Sequence, residues 1–195
     1  MRLNREVYVY MKIIKKELAC CLLESPLIWD QRGWFHIPFC AGDLQTLGLN
    51  FGNVCQLNHS FTEHMGIVRG PNYQKKPFQQ AKIVRCTKGA VYSVGIDIDR
   101  NSITYGQWCG FVLSKKNKYL MYVPDSYAHG FITLEENTEL EYFTDNLYSR
   151  EHAASFAWND PVVAIDWTRG GQIEVNSAIM SEKNRHAPML DEVEW

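Results

Sequence analysis

The residues able to do chemistry here are amides, cations and phenols. Asn72 lies in Arg69-Gly70-Pro71-Asn72-Tyr73-Gln74. An amide takes up no proton near neutral pH, so Asn72 can only donate and accept hydrogen bonds. Arg32 and Arg69 carry planar guanidinium forks, but taken alone each reads as an ordinary surface or turn residue. Tyr142, in Glu139-Leu140-Glu141-Tyr142-Phe143-Thr144, carries a phenol that serves as acid or base where its pKa is shifted. Taken alone, Lys82 reads as a strand lysine on a solvated face and Tyr142 as a core tyrosine with a satisfied hydroxyl. His129, before Gly130-Phe131, reads as structural. None of the six cysteines forms a Cys-x-x-Cys pair, which argues against a zinc ribbon or a thioredoxin motif. Buried free thiols in a reducing cytoplasm are expected instead.

Short β-type runs must position these groups. Ala81 to Cys86 reads as a strand, Lys88-Gly89 as a turn, and Val91 to Ile98 as a second strand. In that second strand Tyr92, Val94, Ile96 and Ile98 share one face, and Ser93, Gly95 and Asp97 the other, the period of a half-buried strand. Tyr105 to Leu113, Tyr119 to Val123, His129 to Leu134 and Glu139 to Phe143 supply further strands. Regular strands without a sustained helical period predict an antiparallel sandwich or barrel. Ser149 to Ala154 reads as a helical turn. The chain after Trp167 reads as irregular, ending in a polar, acidic Ser181 to Trp195.

With 195 residues, 46% of them hydrophobic, the chain is sized for one domain, residues 1–195, with a sizeable core. Lys+Arg 20 against Asp+Glu 22 gives no field that would hold nucleic acid by backbone charge. Leu18-Ala19-Cys20-Cys21-Leu22-Leu23 follows three lysines but stops at Glu24, short of the roughly 7–15 apolar residues of a signal core. No run approaches the roughly 20 apolar residues of a membrane span, so a cytoplasmic protein is expected.

Several segments together resemble the dTDP-4-dehydrorhamnose 3,5-epimerase family. Asp30-Gln31-Arg32-Gly33-Trp34-Phe35 is similar to its D-x-R-G-x-F, and Cys55-Gln56-Leu57-Asn58-His59-Ser60 to its x-Q-x-N-H-S. The Arg69–Gln74 segment resembles RGLHYQ, and Pro124 to Phe131 resembles P-x-G-F-A-H-G-F. Tyr105-Gly106-Gln107-Trp108, Trp158-Asn159-Asp160-Pro161 and Ile165-Asp166-Trp167 match further landmarks, so the likeness spans about Leu18 to Leu190.

The resemblance implies an all-β, cupin-type jelly-roll sandwich with short helical and irregular terminal segments. It also implies a homodimer that needs no metal or cofactor. Its ligand would be a nucleotide-diphosphate sugar, dTDP-linked, with no nucleic-acid or membrane partner. The reaction would be epimerisation beside the ketone of a 4-keto-6-deoxyhexose through an enolate, in rhamnose-type deoxysugar synthesis. Such chemistry needs a base, a donor for the enolate oxygen and an acid across the ring. By position, Lys82 matches the enolate-stabilising lysine and Tyr142 the acid. Tyr148 matches a second tyrosine of the site, and His129 a substrate-contacting histidine. Arg32, Phe35, Gln56, Asn58, Arg69 and Lys183 match residues that bind diphosphate, nucleoside or sugar.

Two positions depart together from the family pattern. Asn72 stands where the base histidine is expected, and Asn184, in Ser181-Glu182-Lys183-Asn184-Arg185-His186-Ala187-Pro188, where its aspartate partner is. Without the histidine, a buried aspartate would be an unpaired charge, so the two changes are physically coupled. Candidate substitute bases are His64, His186, Tyr73 and Tyr142. A variant of the family that binds the nucleotide sugar silently, or treats it differently, is the alternative expectation.

Overall fold

The computed structural model describes residues 10–193. The expected domain of residues 1–195 and the acidic end at Trp195 thus extend beyond the described residues. The strands in chain order are β1 Lys12–Glu17, β2 Cys20–Glu24, β3 Leu27–Asp30, β4 Gly33–His36, β5 Gln56–Thr62, β6 Val68–Gln74 and β7 Lys82–Lys88. They continue with β8 Ala90–Asp97, β9 Trp108–Ser114, β10 Leu120–Val123, β11 Tyr127–Thr133, β12 Thr138–Thr144 and β13 Ala153–Ser155. Helix α1 is Ala41–Thr46, α2 is Glu182–Arg185, and a 3-10 turn spans Leu190–Glu192.

A six-stranded sheet, β1-β2-β10-β7-β12-β5, faces a five-stranded sheet, β13-β6-β11-β8-β9, and β3-β4 forms a separate hairpin. Every pairing is antiparallel. This is the jelly-roll sandwich expected. Between the sheets lie Cys20, Val84, Phe111, Leu113, Met121, Tyr127, Phe131 and Leu140. The outer face of the six-stranded sheet is packed through Ile83, Leu120 and Leu23 against Leu44 of α1.

Two expectations need correction. β8 is buried on both faces rather than one. Its Val94 and Ile96 turn outward under Phe156, Trp167 and Leu190, supplied by the late part of the chain. Its small face, where a Cβ on Gly95 would meet Cys20 and Met121, fills the sandwich interior. The irregular late segment is therefore a cover for an apolar strand face. Ser149 to Ala154 is not a helical turn throughout: the chain turns at Arg150–His152, and Ala153–Ser155 then pairs with β6. The short apolar run Leu18–Leu23 feeds β2, a buried strand of the larger sheet. Cys20, Cys21, Cys86 and Cys109 are buried thiols as expected, while Cys55 is exposed.

The turn expected at Lys88-Gly89 is present, with Gly89 at φ +72°. A second glycine matters more. Gly70 has φ +96°, and a Cβ there would lie 2.7 Å from the His129 carbonyl oxygen. Only glycine lets β6 and β11 approach so closely, and Asn72 consequently lies opposite His129.

Candidate active site

Strand alternation aims the side chains into one space between the sheets. On β7, Ile83 turns outward and Lys82 inward, so Lys82 is 6% exposed. The solvated-face reading of Lys82 is thus overturned: the side chain points into the space between the two sheets, not out to bulk solvent. Tyr142 on β12 sits opposite Val84, also inward-facing. Asn58 and Gln56 on β5 are paired with Tyr142 and Thr144. Asn72 and His129 come from the facing sheet, and the rings of His129 and Tyr142 approach to 6.5 Å between centroids.

A cavity of about 260 Å³ is lined by Asn72, Lys82, Tyr142, Tyr148 and Lys183, together with Tyr73, Gln74, Gln80 and Ala153. Five residues matched to the epimerase site from distant parts of the sequence therefore share one space. A neighbouring cavity of about 450 Å³ includes Arg69, Asn72, Ser181 and Asn184 in its wall. Asn72 is common to both cavities.

Burial dominates the electrostatics. Lys82 is pushed down to about 8 by desolvation, partly offset by Asp145 and Asp125. Its ammonium donates to the Gln80 carbonyl oxygen at 3.1 Å. His129 is pushed down to about 3, first by burial and then by the charge of Lys82. It is neutral at pH 7 and shares a 2.9 Å hydrogen bond with the Ser93 hydroxyl. Burial raises the Tyr142 phenol, while nearby Arg69 pulls it back down. Desolvation also lowers Lys183.

Helix α2 brings the C-terminal segment to the cavity. Ser181 caps it by accepting from the Asn184 backbone N–H at 3.3 Å. The Ser181 hydroxyl donates to Asn184 Oδ1 at 2.7 Å, and Asn184 Nδ2 donates to Asn72 Oδ1 at 3.5 Å. The amides at the two departing positions thus face each other.

Other expected residues form the surroundings. Gln56 Nε2 donates to Asn58 Oδ1 at 2.5 Å, and Gln56 Oε1 accepts from the Tyr148 N–H at 3.3 Å. Arg69 donates to the Phe61 carbonyl oxygen at 2.9 Å. Arg32 and Phe35 do not line the cavity. They lie on the β3-β4 hairpin, whose Trp34 and His36 pack beside Arg85 and Lys118, on the far side of β7 from Lys82. Arg32 pairs instead with Asp30 at 2.6 Å. Among the four candidate substitute bases, Tyr73 and Tyr142 line the cavity. His64 is paired with Glu136 and His186 with Glu182, and neither lines it. Gln74 and Gln80 were missed. Gln74 donates to the Phe78 and Leu147 carbonyl oxygens, and Gln80 to that of Asn146, which fixes the loop carrying Tyr148. Their signal was position alone: Gln74 closes the Arg69–Gln74 segment and Gln80 immediately precedes β7.

An antiparallel jelly roll with a lysine, a tyrosine and amides gathered between its sheets defines a cupin-type nucleotide-sugar epimerase fold. The sequence profile of dTDP-4-dehydrorhamnose 3,5-epimerase matches residues 18–192. The chain belongs to the dTDP-4-dehydrorhamnose 3,5-epimerase family. The enzyme of that name from Escherichia coli is 36% identical over 185 residues, covering 94% of this chain and 96% of its own. The crystal structure of the Bacillus anthracis epimerase, with TDP and PPi bound, has a TM-score of 0.84 at 37% identity, covering 92% of this chain and 99% of its own. That of the Legionella pneumophila enzyme, in complex with dTDP-4-keto-L-rhamnose, has a TM-score of 0.85 at 31% identity, covering 94% and 95%.

Proposed function

We propose that this protein is an isomerase that epimerises carbons beside the ketone of a dTDP-linked 4-keto-6-deoxyhexose through an enolate, in rhamnose-type deoxysugar synthesis. The observation that carries this reading is the convergence of Asn72, Lys82, Tyr142, Tyr148 and Lys183 on one cavity. The Lys82 cation suits a developing enolate oxygen, and in a desolvated site such a charge acts more strongly than in water. Tyr142 is the proton donor on the wall facing Asn72. Arg69, Lys183, Gln56 and Asn58 hold the nucleotide diphosphate, with the neutral His129 against the sugar. Asn72 holds no proton, so its part is to hydrogen-bond the sugar or an attacking solvent molecule.

The working form we infer is a homodimer of single-domain chains in the cytoplasm. Ile28, Trp29, Trp34 and Phe35 of the hairpin are exposed, as are Leu57 and Phe61 on β5, the edge strand of the larger sheet. Apolar exposure of this extent fits burial against a second copy. Arg32 and Phe35, lying away from their own chain's cavity, would then complete the partner's site. Among the described residues, no helix is long and apolar enough to cross a membrane.

The test is proton NMR of dTDP-4-keto-6-deoxyglucose with the protein in deuterated water. Signal loss at carbon 3 or 5, with appearance of an epimer, is the expected result. Binding seen by saturation transfer without any exchange would replace this reading with that of a silent nucleotide-sugar binder. The activities named for the relatives do not favour that alternative.

A further inference from the structure

The wall of the cavity opposite Tyr142 carries an amide where proton removal needs a base. His64 and His186, the exposed histidines considered as substitutes, do not line the cavity. Tyr73 does, but it is a phenol packed among Val68, Phe156 and Trp167. What the cavity does hold is a buried primary amine beside the position where a ketone is to bind. Lys82 is 6% exposed, its ammonium donates to the Gln80 carbonyl oxygen, and among the described residues no carboxylate is ion-paired with it. A primary amine and a ketone enclosed together have a second way to acidify neighbouring carbons.

We propose that Lys82 forms a transient iminium with the ketone carbon of the bound sugar, and that this covalent electron sink stands in for a strong base at position 72. The proposal rests on the nucleotide-sugar reading given above.

The step balances without any redox partner. Neutral Nζ adds its lone pair to the carbonyl carbon while the carbonyl oxygen takes a proton from solvent and the nitrogen loses one to solvent, giving a carbinolamine. A second proton transfer expels that oxygen as water and leaves the C=N⁺ iminium. An adjacent C–H bond then breaks. Its electron pair neutralises the nitrogen to an enamine, and its proton passes to solvent at the carboxamide of Asn72, which also borders the larger cavity. Tyr142 returns a proton to carbon from the other wall and is recharged by solvent. Addition of water to the re-formed iminium releases the ketone and free Lys82.

Two properties of the site favour this course. A cationic C=N⁺ withdraws electrons more strongly than a neutral C=O, so a weak acceptor such as water suffices for the proton. Burial also holds Lys82 down to about 8, so the nucleophilic neutral amine is populated near physiological pH, where an ordinary lysine is almost wholly protonated.

The experiment is reductive trapping. The protein is incubated at neutral pH with dTDP-4-keto-6-deoxyglucose and sodium cyanoborohydride, then measured by intact mass and peptide mapping. Saturation-transfer NMR on the same sample reports binding. A secondary amine linking the sugar to Lys82, absent in Lys82→Arg, is the expected result. Lys183, the other lysine lining the cavity, is exposed and is the internal control. Binding without an adduct, or an adduct mapped to Lys183, overturns the iminium while leaving the nucleotide-sugar reading in place. Absence of binding removes both. Wild-type protein alone decides these outcomes, so the result does not depend on the variant folding.

Discussion

Asn184 donates to Asn72 across 3.5 Å, joining two amides 112 residues apart in the chain. The contact closes because Ser181 caps α2 and orients the Asn184 carboxamide, and because Gly70 lets β6 lie tight against β11. Asn184 is 8% exposed, so a charge there would need a partner. Asn184→Asp alone is therefore expected to lower stability at pH 7 by about 1–3 kcal/mol or more, with the loss shrinking as the acid is protonated. Adding Asn72→His should recover that stability and introduce proton exchange with a histidine-like pH dependence. Urea unfolding at pH 7 and pH 4, with exchange in deuterated water, checks both parts. An Asn184→Asp variant as stable as the parent at pH 7 would show that the carboxylate finds solvent and that the amides are not coupled.

Removing the phenol separates chemistry from binding. Tyr142 lines the cavity, and no hydrogen bond ties its hydroxyl to the protein among the described contacts. Tyr142→Phe should thus fold normally and bind dTDP with unchanged affinity. Proton return should slow by about 10²–10⁴-fold, the usual contribution of a general acid. Calorimetry with dTDP and the NMR exchange rate provide the two readouts. An equal loss in both would make Tyr142 a packing residue.

How far the sequence revealed the site depended on what each residue needed. A period of two is local, so it marks β8 in the sequence alone, while short runs between turn residues mark β7 and β9 to β12. Neither revealed that Lys82 points inward, because facing direction depends on which sheet covers which side. The likeness to a family supplied Lys82, Tyr142, Tyr148 and Lys183, which meet in space from separate elements. The N-terminal strands β1 to β4 were not read. Their residues are exposed or apolar in short runs without alternation, and they pair through contacts the chain makes only when folded. The second apolar face of β8 was equally hidden, since its cover comes from residues 156–190. Arg32 and Phe35, expected at the site from the family likeness, lie outside their own chain's cavity, a discrepancy that the proposed second copy would resolve.

That discrepancy yields a complementation test. If Arg32 serves the partner's cavity, Arg32→Ala and Lys82→Met each disable every site of their own homodimer. Co-expressed in equal amounts, they form hybrids in which one site regains both residues. Random pairing then restores about a quarter of wild-type activity, a consequence of two-fold symmetry alone. Exchange rates on the purified mixture decide the matter. Activity no greater than the average of the two variants would mean that each chain builds its own site. Replacing exposed Trp29 or Leu57 with Glu should shift the sedimentation of the wild-type assembly toward monomer.

Acid stability should report on His129. Its folded-state pKa of about 3 lies below the ordinary value of 6.5, because the protonated ring is penalised first by burial and then by Lys82. Unfolded chains bind a proton there that the native protein refuses, so the unfolded state holds more protons between the two values. Stability due to this group is therefore complete above about pH 6.5 and is lost as pH falls toward about 3. His129→Gln should begin less stable at pH 7 by about 1 kcal/mol, through loss of the Ser93 hydrogen bond. It should then lose less on acidification, because glutamine has no proton to bind. Carboxylates elsewhere titrate equally in both proteins and cancel in the difference. Urea unfolding at pH 7, 5 and 4 gives the two curves. If they run parallel, the buried imidazole is not coupled to folding and its neutrality at the site cannot be assumed. If they converge, His129 meets the sugar as an uncharged hydrogen-bonding group.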